Sequence, residues 1–272
     1  MSQEWRLTVW GVRGSAPRSA PDCLEFGGCT TCLSLECGEE LVILDAGSGL
    51  SSMGQGFIHK KQFKRLHILL SHLHLDHILG LPCFPPFFDP EMEIHLYGSK
   101  GFRQNLELLM APPYWPVGFH DFKARVTFHE LNPGDGFSLE ILKGEFLKGY
   151  TMQGNHPGGS LLYRLEAAGK SLTYALDCEM DEKTFHQLAE FSRGTCLLIW
   201  DAGFSPEHLR PGWGHSTWHQ GIALRLAAQA KIALMMHYDW SYSDTFLRCQ
   251  EQKARQQDPA SRFAKEGMVI TL

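Results

Sequence analysis

Ser71-His72-Leu73-His74-Leu75-Asp76-His77 packs four metal-competent side chains into six residues. The run follows residues 66–70, a short apolar stretch that reads as a buried strand. The cluster therefore sits where a strand ends and the chain turns. In an extended loop, His72 and His74 point to one side while Asp76 and His77 turn to the other, so one loop can feed two neighbouring metals. Imidazole with carboxylate suits zinc, manganese or iron. The bland alternative is a polar loop with chance histidines, and three His and one Asp in this register argue against it.

A metal pair needs more ligands than one loop supplies. Three other segments offer them at strand ends. Asn155-His156-Pro157-Gly158-Gly159 precedes an apolar run over 161–165. Tyr174-Ala175-Leu176-Asp177 ends a run in a carboxylate, and Met235-Met236-His237-Tyr238-Asp239 ends another in His. Taken alone, each reads as a capped turn or a satisfied histidine. Their shared placement beside strand ends points to one site.

Between these motifs the chain alternates short apolar runs with amphipathic stretches. Strands are expected over 6–10, 31–36, 41–45, 66–70, 93–97, 124–128, 161–165, 171–176, 196–201, 232–237 and 268–272. Helical patterns cover 101–110, 181–191, 217–230 with Ser216 as N-cap, and 243–256 with Ser243 in that role. This is an α/β chain with mixed pairing, two sheets faced by helices. An echo links Leu41-Val-Ile-Leu-Asp-Ala-Gly47 with Cys196-Leu-Leu-Ile-Trp-Asp-Ala-Gly203, two apolar strands ending in Asp-Ala-Gly. No Pro/Gly/Ser linker separates the halves, so residues 1–272 are taken as one domain.

Composition narrows the function. Lys plus Arg number 25 against 30 Asp plus Glu, a formal net charge of -5. Nucleic-acid affinity comes largely from clustered Lys and Arg, so long nucleic acid is not an expected partner. No apolar stretch approaches the ~20 residues of a membrane helix, and no secretion signal is evident, so the cytoplasm is the expected compartment. The 8 Cys then read as free thiols. Cys29-x-x-Cys32 has no second such pair to complete a structural zinc site.

The order His-x-His-x-Asp-His, lone His, Asp, final His resembles the metallo-β-lactamase-fold hydrolases. Trp10-Gly-Val-Arg-Gly-Ser-Ala-Pro17, Gly27 to Cys32, Leu44-Asp-Ala-Gly-Ser-Gly49 and Gly212-Trp-Gly-His-Ser-Thr217 resemble the phosphodiesterase branch, which includes ribonuclease Z and the phosphoribosyl cyclic phosphate phosphodiesterases. The resemblance implies a four-layer αββα sandwich of two mixed sheets. It implies two divalent ions, zinc or manganese with iron as an option. His72, His74 and His156 would hold one, and Asp76, His77 and His237 the other. Asp177 would bridge them, and Asp45 would steady the ligand loop. His215 would assist the leaving group and Asp201 would orient it; Asp76 counts among the catalytic groups as well as the ligands. Cys29 and Trp240 depart from the usual pattern, which bears on substrate choice rather than on the metals.

The implied reaction is hydrolysis of a small or cyclic phosphodiester by metal-activated hydroxide. Two other readings share the site: an ester, lactone or thioester hydrolase, and a ribonuclease Z-like RNA endonuclease. Ester hydrolases of this fold need no counterpart of His215. The segments 101–117 and 134–149 hold few Lys or Arg for an RNA-gripping arm. A homodimer is compatible with the sequence. Arg13, in a Gly-flanked turn, could reach a phosphate or pair with a buried carboxylate.

Overall fold

The computed structural model describes residues 4–58 and 63–272. Two seven-stranded sheets form its centre. The first runs in the order β14-β1-β2-β3-β4-β5-β6, from β1 (Arg6–Gly11), β2 (Cys32–Cys37), β3 (Glu40–Leu44), β4 (Arg65–Leu69), β5 (Glu93–Ser99), β6 (Arg125–Leu131) and β14 (Val269–Thr271). The second runs β13-β12-β11-β10-β9-β8-β7, from β7 (Gly136–Leu142), β8 (Glu145–Gly154), β9 (Ser160–Ala167), β10 (Lys170–Ala175), β11 (Leu197–Asp201), β12 (Ile232–Met236) and β13 (Ser261–Phe263). Each sheet is antiparallel in one half and parallel in the other. β3 to β6 are parallel neighbours, and so are β10 to β13.

β3 shows why the sheets stack between helices. Val42 and Leu44 join the core shared with the second sheet, which also holds Leu165 and Tyr174. Leu41 and Ile43 face the other way, into a second core. A strand buried on both faces reads as an unbroken apolar run. The outer core is closed by α1 (Gly49–Ile58) and α3 (Phe102–Leu109), through Leu50, Met53, Phe102 and Leu106. On the far side, α4 (Glu182–Phe191), α5 (Trp218–Ala228) and α6 (Asp244–Gln257) cover the second sheet with Leu188, Trp218 and Leu247. The four layers are the expected αββα sandwich. Among the described residues no helix is long and apolar enough to cross a membrane.

The expected strands are all present, with ends shifted by a few residues. β7, β8, β13, α1 and a one-turn helix over Leu75–Ile78, which replaces the second half of the expected extended loop, go beyond the elements read from the sequence. α1 carries Gly49 and Gly54, poor helix formers, and is stabilised by packing rather than propensity. β8 buries Leu147, Gly149 and Thr151 on one face and leaves Lys148 and Tyr150 outside, so glycine and lysine blur the alternation. The N-cap of α5 is Thr217, not Ser216. The Thr217 side chain accepts from the Gln220 amide, and the Gln220 side chain accepts from the Thr217 amide in return. Ser216 turns inward, and its hydroxyl donates to the Cys178 carbonyl at 2.6 Å. Ser243 caps α6 as expected. All eight cysteines are free.

Candidate metal centre

The candidate ligands gather at the carboxyl ends of the parallel strands, where the two sheets meet. Open α/β sheets bind ligands at this edge because the loops there leave the strands together. The Ser71–His77 run leaves β4, with His74 at the N-terminus of the one-turn helix α2 (Leu75–Ile78). His156 lies between β8 and β9, Asp177 follows β10, Asp201 ends β11, and His237 follows β12. Asp45, Asp177 and His237 all adopt positive φ, at 55°, 52° and 64°. Three non-glycine residues in this strained region at three strand ends turn their side chains into one site.

Two ligand sets result. In the first, His74 Nδ1 lies 3.1 Å from His156 Nε2, with His72 alongside. In the second, His77 Nε2 and His237 Nε2 are 3.2 Å apart, and each is 3.3 Å from Asp76 Oδ2. Asp177 stands between. Its Oδ1 is 3.6 Å from His156 Nε2 and 4.0 Å from His72 Nε2. Its Oδ2 is 3.1 Å from His77 Nε2 and 3.2 Å from His237 Nε2. All seven candidate ligands are thus brought together.

The surrounding hydrogen bonds aim the ring nitrogens. Asp45 is fully buried and accepts four bonds: from the Ser71 amide at 2.7 Å, the Ser71 hydroxyl at 2.8 Å, the Tyr174 hydroxyl at 2.6 Å and His77 Nδ1 at 2.7 Å. Because the Ser71 hydroxyl donates to Asp45, its oxygen is left to accept from His72 Nδ1 at 3.0 Å. His156 Nδ1 donates to the Gly214 carbonyl at 2.9 Å. Each of these bonds occupies Nδ1 and leaves the Nε2 of that ring facing the cluster as the atom that can ligate. Asp76 Oδ2 also accepts from the Ser15 amide at 2.7 Å. A Cβ on Gly14 would lie 2.4 Å from His237 Cε1, so only glycine lets this loop close on the site.

The electrostatics call for a cation. Asp45, Asp76 and Asp177 are all buried within one cluster. Burial opposes the charge on His77 and His237, yet the carboxylates outweigh it, Asp177 foremost, and raise both pKa values. Without a metal, protons supply the positive charge that the carboxylates demand. On the other side, burial drives His72 and His156 toward the neutral form that binds metal. His72 Nε2 and Asp177 Oδ2 are buried and make no hydrogen bond, as expected of atoms whose partner is an ion. The donor set of five imidazoles and two carboxylates fits two first-row divalent metals.

His215 lies beside these sets, and with Asp177, Asp201 and His237 it forms a further group whose donor atoms lie within 4.8 Å of one another. Its Nδ1 donates to Asp201 Oδ2 at 2.9 Å, and its ring stacks on His237 with centroids 5.2 Å apart. Burial disfavours the imidazolium, but Asp201, followed by Asp177 and Asp76, prevails and raises the pKa to about 9. Glu179 fixes the loop before it, accepting from the Gly212 amide at 2.8 Å and the Gly214 amide at 2.9 Å. Gly214 has φ +80, and a Cβ there would sit 2.2 Å from His156 Nδ1. The Asp-Ala-Gly echo also finds a meaning. Asp45 and Asp201, one per sheet, each accept a hydrogen bond from Nδ1 of a site histidine.

Neither role considered for Arg13 holds. It is fully buried and donates to backbone carbonyls, Gly27 at 2.7 Å and Tyr242 at 2.6 Å. Tyr174, Glu179 and the Ser15 amide escaped the sequence reading. A tyrosine inside an apolar run looks like core, and an amide leaves no sequence signal. Beside His215 and His237 opens a cleft of about 270 Å³, with Trp213, Trp240 and Arg210 on its walls.

Residues 41–238 match a family model described as the beta-lactamase superfamily domain. Ribonuclease Z of Pyrococcus horikoshii is 25% identical over an alignment of 276 positions, covering 87% of this chain and 86% of that protein. Among solved structures, the metallo-beta-lactamase fold protein YhfI from Bacillus subtilis superposes with TM-score 0.76 at 17% identity, over 99% of this chain and 100% of that one. A diphosphatase described as belonging to the PhnP family gives TM-score 0.68 at 18% identity, over 99% and 97%.

Proposed function

The chain belongs to the beta-lactamase superfamily, and from that premise we propose that it is a dinuclear metal-dependent hydrolase of small or cyclic phosphodiesters. The observation that carries this reading is His215, whose imidazole pairs with Asp201 and stacks against His237 beside the two proposed ligand sets rather than as a member of either. Carboxylic ester hydrolysis on such a site has no need of it. A phosphodiester has an alkoxide leaving group that must gain a proton.

His72, His74 and His156 would hold one divalent ion, and Asp76, His77 and His237 the other, zinc or manganese. Asp177 would serve both, Oδ1 toward the first and Oδ2 toward the second. Ions bound there supply Lewis-acid charge and lower the pKa of an attacking water. Asp45 holds the His72 and His77 rings in the ligating tautomer through Ser71 and directly. His215, whose pKa Asp201 raises, would give its Nε2 proton to the departing oxygen, while its Nδ1–H stays hydrogen-bonded to Asp201, which holds the ring orientation.

The cleft and the net charge support a small substrate. A cleft of about 270 Å³ suits one substrate moiety, and a chain of charge -5 offers little general attraction to a long phosphate backbone. An RNA endonuclease is the second reading, favoured by the ribonuclease Z relatives. Precursor tRNA and 2′,3′-cyclic phosphates assayed side by side at two salt concentrations separate the two. Turnover of the cyclic phosphate with shallow salt dependence is expected. Efficient, strongly salt-sensitive cleavage of tRNA at its 3′ end, with no turnover of small diesters, would overturn the reading.

A further inference from the structure

We propose that Trp213, Trp240 and Arg210 form a subsite for a nucleobase, so that the substrate is a nucleotide diester whose nucleoside lies on the leaving-group side of the metals. The proposal rests on the phosphodiesterase reading and deepens it. Trp213 and Trp240 are 58% and 49% exposed, although each carries one of the largest apolar surfaces of any side chain. Both line the same cleft, and that cleft opens onto His215 and His237. A paired aromatic exposure at the mouth of a site is where a ligand finds its apolar contact.

Neither tryptophan rides on a loose loop. Glu179 accepts from the amides on both sides of Trp213, those of Gly212 and Gly214. The turn bearing Trp240 is held from below. Arg13 donates to the carbonyls of Asp239 and Tyr242, and Arg18 donates to those of Trp240 and Ser241. Asp239 closes the turn by accepting from the Ser241 amide at 2.8 Å. Two indoles are thus displayed on fixed backbone, so little ordering is left for binding to require.

The remaining walls select the kind of apolar group. The Arg210 guanidinium lies 4.8 Å over the Trp213 ring and forms no ion pair among the described residues. Ser15, Asp239 and Ser241 add polar edges to the cleft. Ser241 and Asp239 Oδ1 already pair with each other, so it is chiefly Arg210 that an aliphatic chain would leave without a polar partner. A flat heteroaromatic ring can stack on indole and present donors and acceptors at its rim, and Arg210 adds favourable charge toward the attached phosphate. The cleft meets the candidate ligands at His237 with His215 on the same wall, which places the base with the moiety whose oxygen His215 protonates.

The test is a tryptophan-fluorescence titration of the metal-loaded protein with adenosine 5′-monophosphate and with ribose 5-phosphate, which lacks the base. The nucleotide should quench the signal and bind about tenfold or more tightly than the sugar phosphate, the scale of one base–aromatic stack. Trp213→Leu/Trp240→Leu should lose that preference, and Trp213→Phe/Trp240→Phe should keep most of it. Each single Leu variant is measured too, so the result does not depend on the double variant folding. Equal binding of the two probes by the wild type, or an undiminished preference in the Leu variants, would overturn the subsite. Base-dependent binding without hydrolysis of any phosphodiester would uphold the subsite and sink the hydrolase reading. Hydrolysis of small diesters without base-dependent binding would do the reverse.

Discussion

Asp45→Asn separates a positioning role from simple burial. The substitution keeps the shape of a side chain that no solvent reaches. Asp45 Oδ2 accepts from Ser71 Oγ, Tyr174 and His77 Nδ1, while Oδ1 accepts from the Ser71 amide. If the new amide nitrogen replaces Oδ1, it faces the Ser71 N–H and one buried donor is orphaned. If it replaces Oδ2, the two hydroxyls can rotate to accept, but His77 must move its proton from Nδ1 to Nε2. That proton then sits where the metal lone pair should be. Either arrangement costs roughly 1–3 kcal/mol of stability, the penalty for one unpaired buried polar group. The second also weakens the Asp76–His77–His237 site by about 10–100-fold, as expected when a ligand's orienting partner is lost. Metal content under chelator competition, with a thermal melt of the same samples, reads both effects. Tyr174→Phe removes only one donor, so it should cost about 1 kcal/mol and leave metal affinity within a few-fold. If Asp45→Asn bound metal like the wild type while melting normally, the carboxylate would not be setting the His77 tautomer.

His215→Ala should keep both metals and lose ~10²–10⁴-fold in rate on alkyl diesters, with a smaller loss on nitrophenyl diesters, whose leaving group needs no proton; equal losses on both would refute the acid role. His215 is protonated below its pKa, so wild-type kcat/KM on alkyl diesters should fall as pH rises through a value no higher than about 9, since bound cations can only lower it; a limb that persists unchanged in His215→Ala would assign it elsewhere. Chelator-stripped protein should melt at lower temperature and recover with added zinc or manganese, because ions that bind only the folded state stabilise it by mass action; an unchanged melt would contradict the charge argument built on Asp45, Asp76 and Asp177.

The candidate ligands were legible in the chain because metal binding calls for particular residue types at fixed places. His72 to His77 follow a strand, His156 precedes an apolar run, and Asp177 and His237 each stand at the end of one. The layered fold was legible for a similar reason, since strands buried on both faces must be continuously apolar, as 41–44 are. Other features depended on how the sheets came together. β8 and α1 were hidden because tertiary packing overrides the weak local preference of their glycines. The positive φ of Asp45, Asp177 and His237, which turns three strand ends into one site, leaves no mark in composition or spacing. Ser15, Tyr174 and Glu179 orient Asp76, Asp45 and the His215 loop across separations of 61, 129 and 35 residues. Trp213 and Trp240 share a cleft only because the ends of β11 and β12 lie side by side. A sequence states which chemical groups exist and their local period. Distances between remote groups are set by the packing of the two sheets, and the second half of this site is made of such distances.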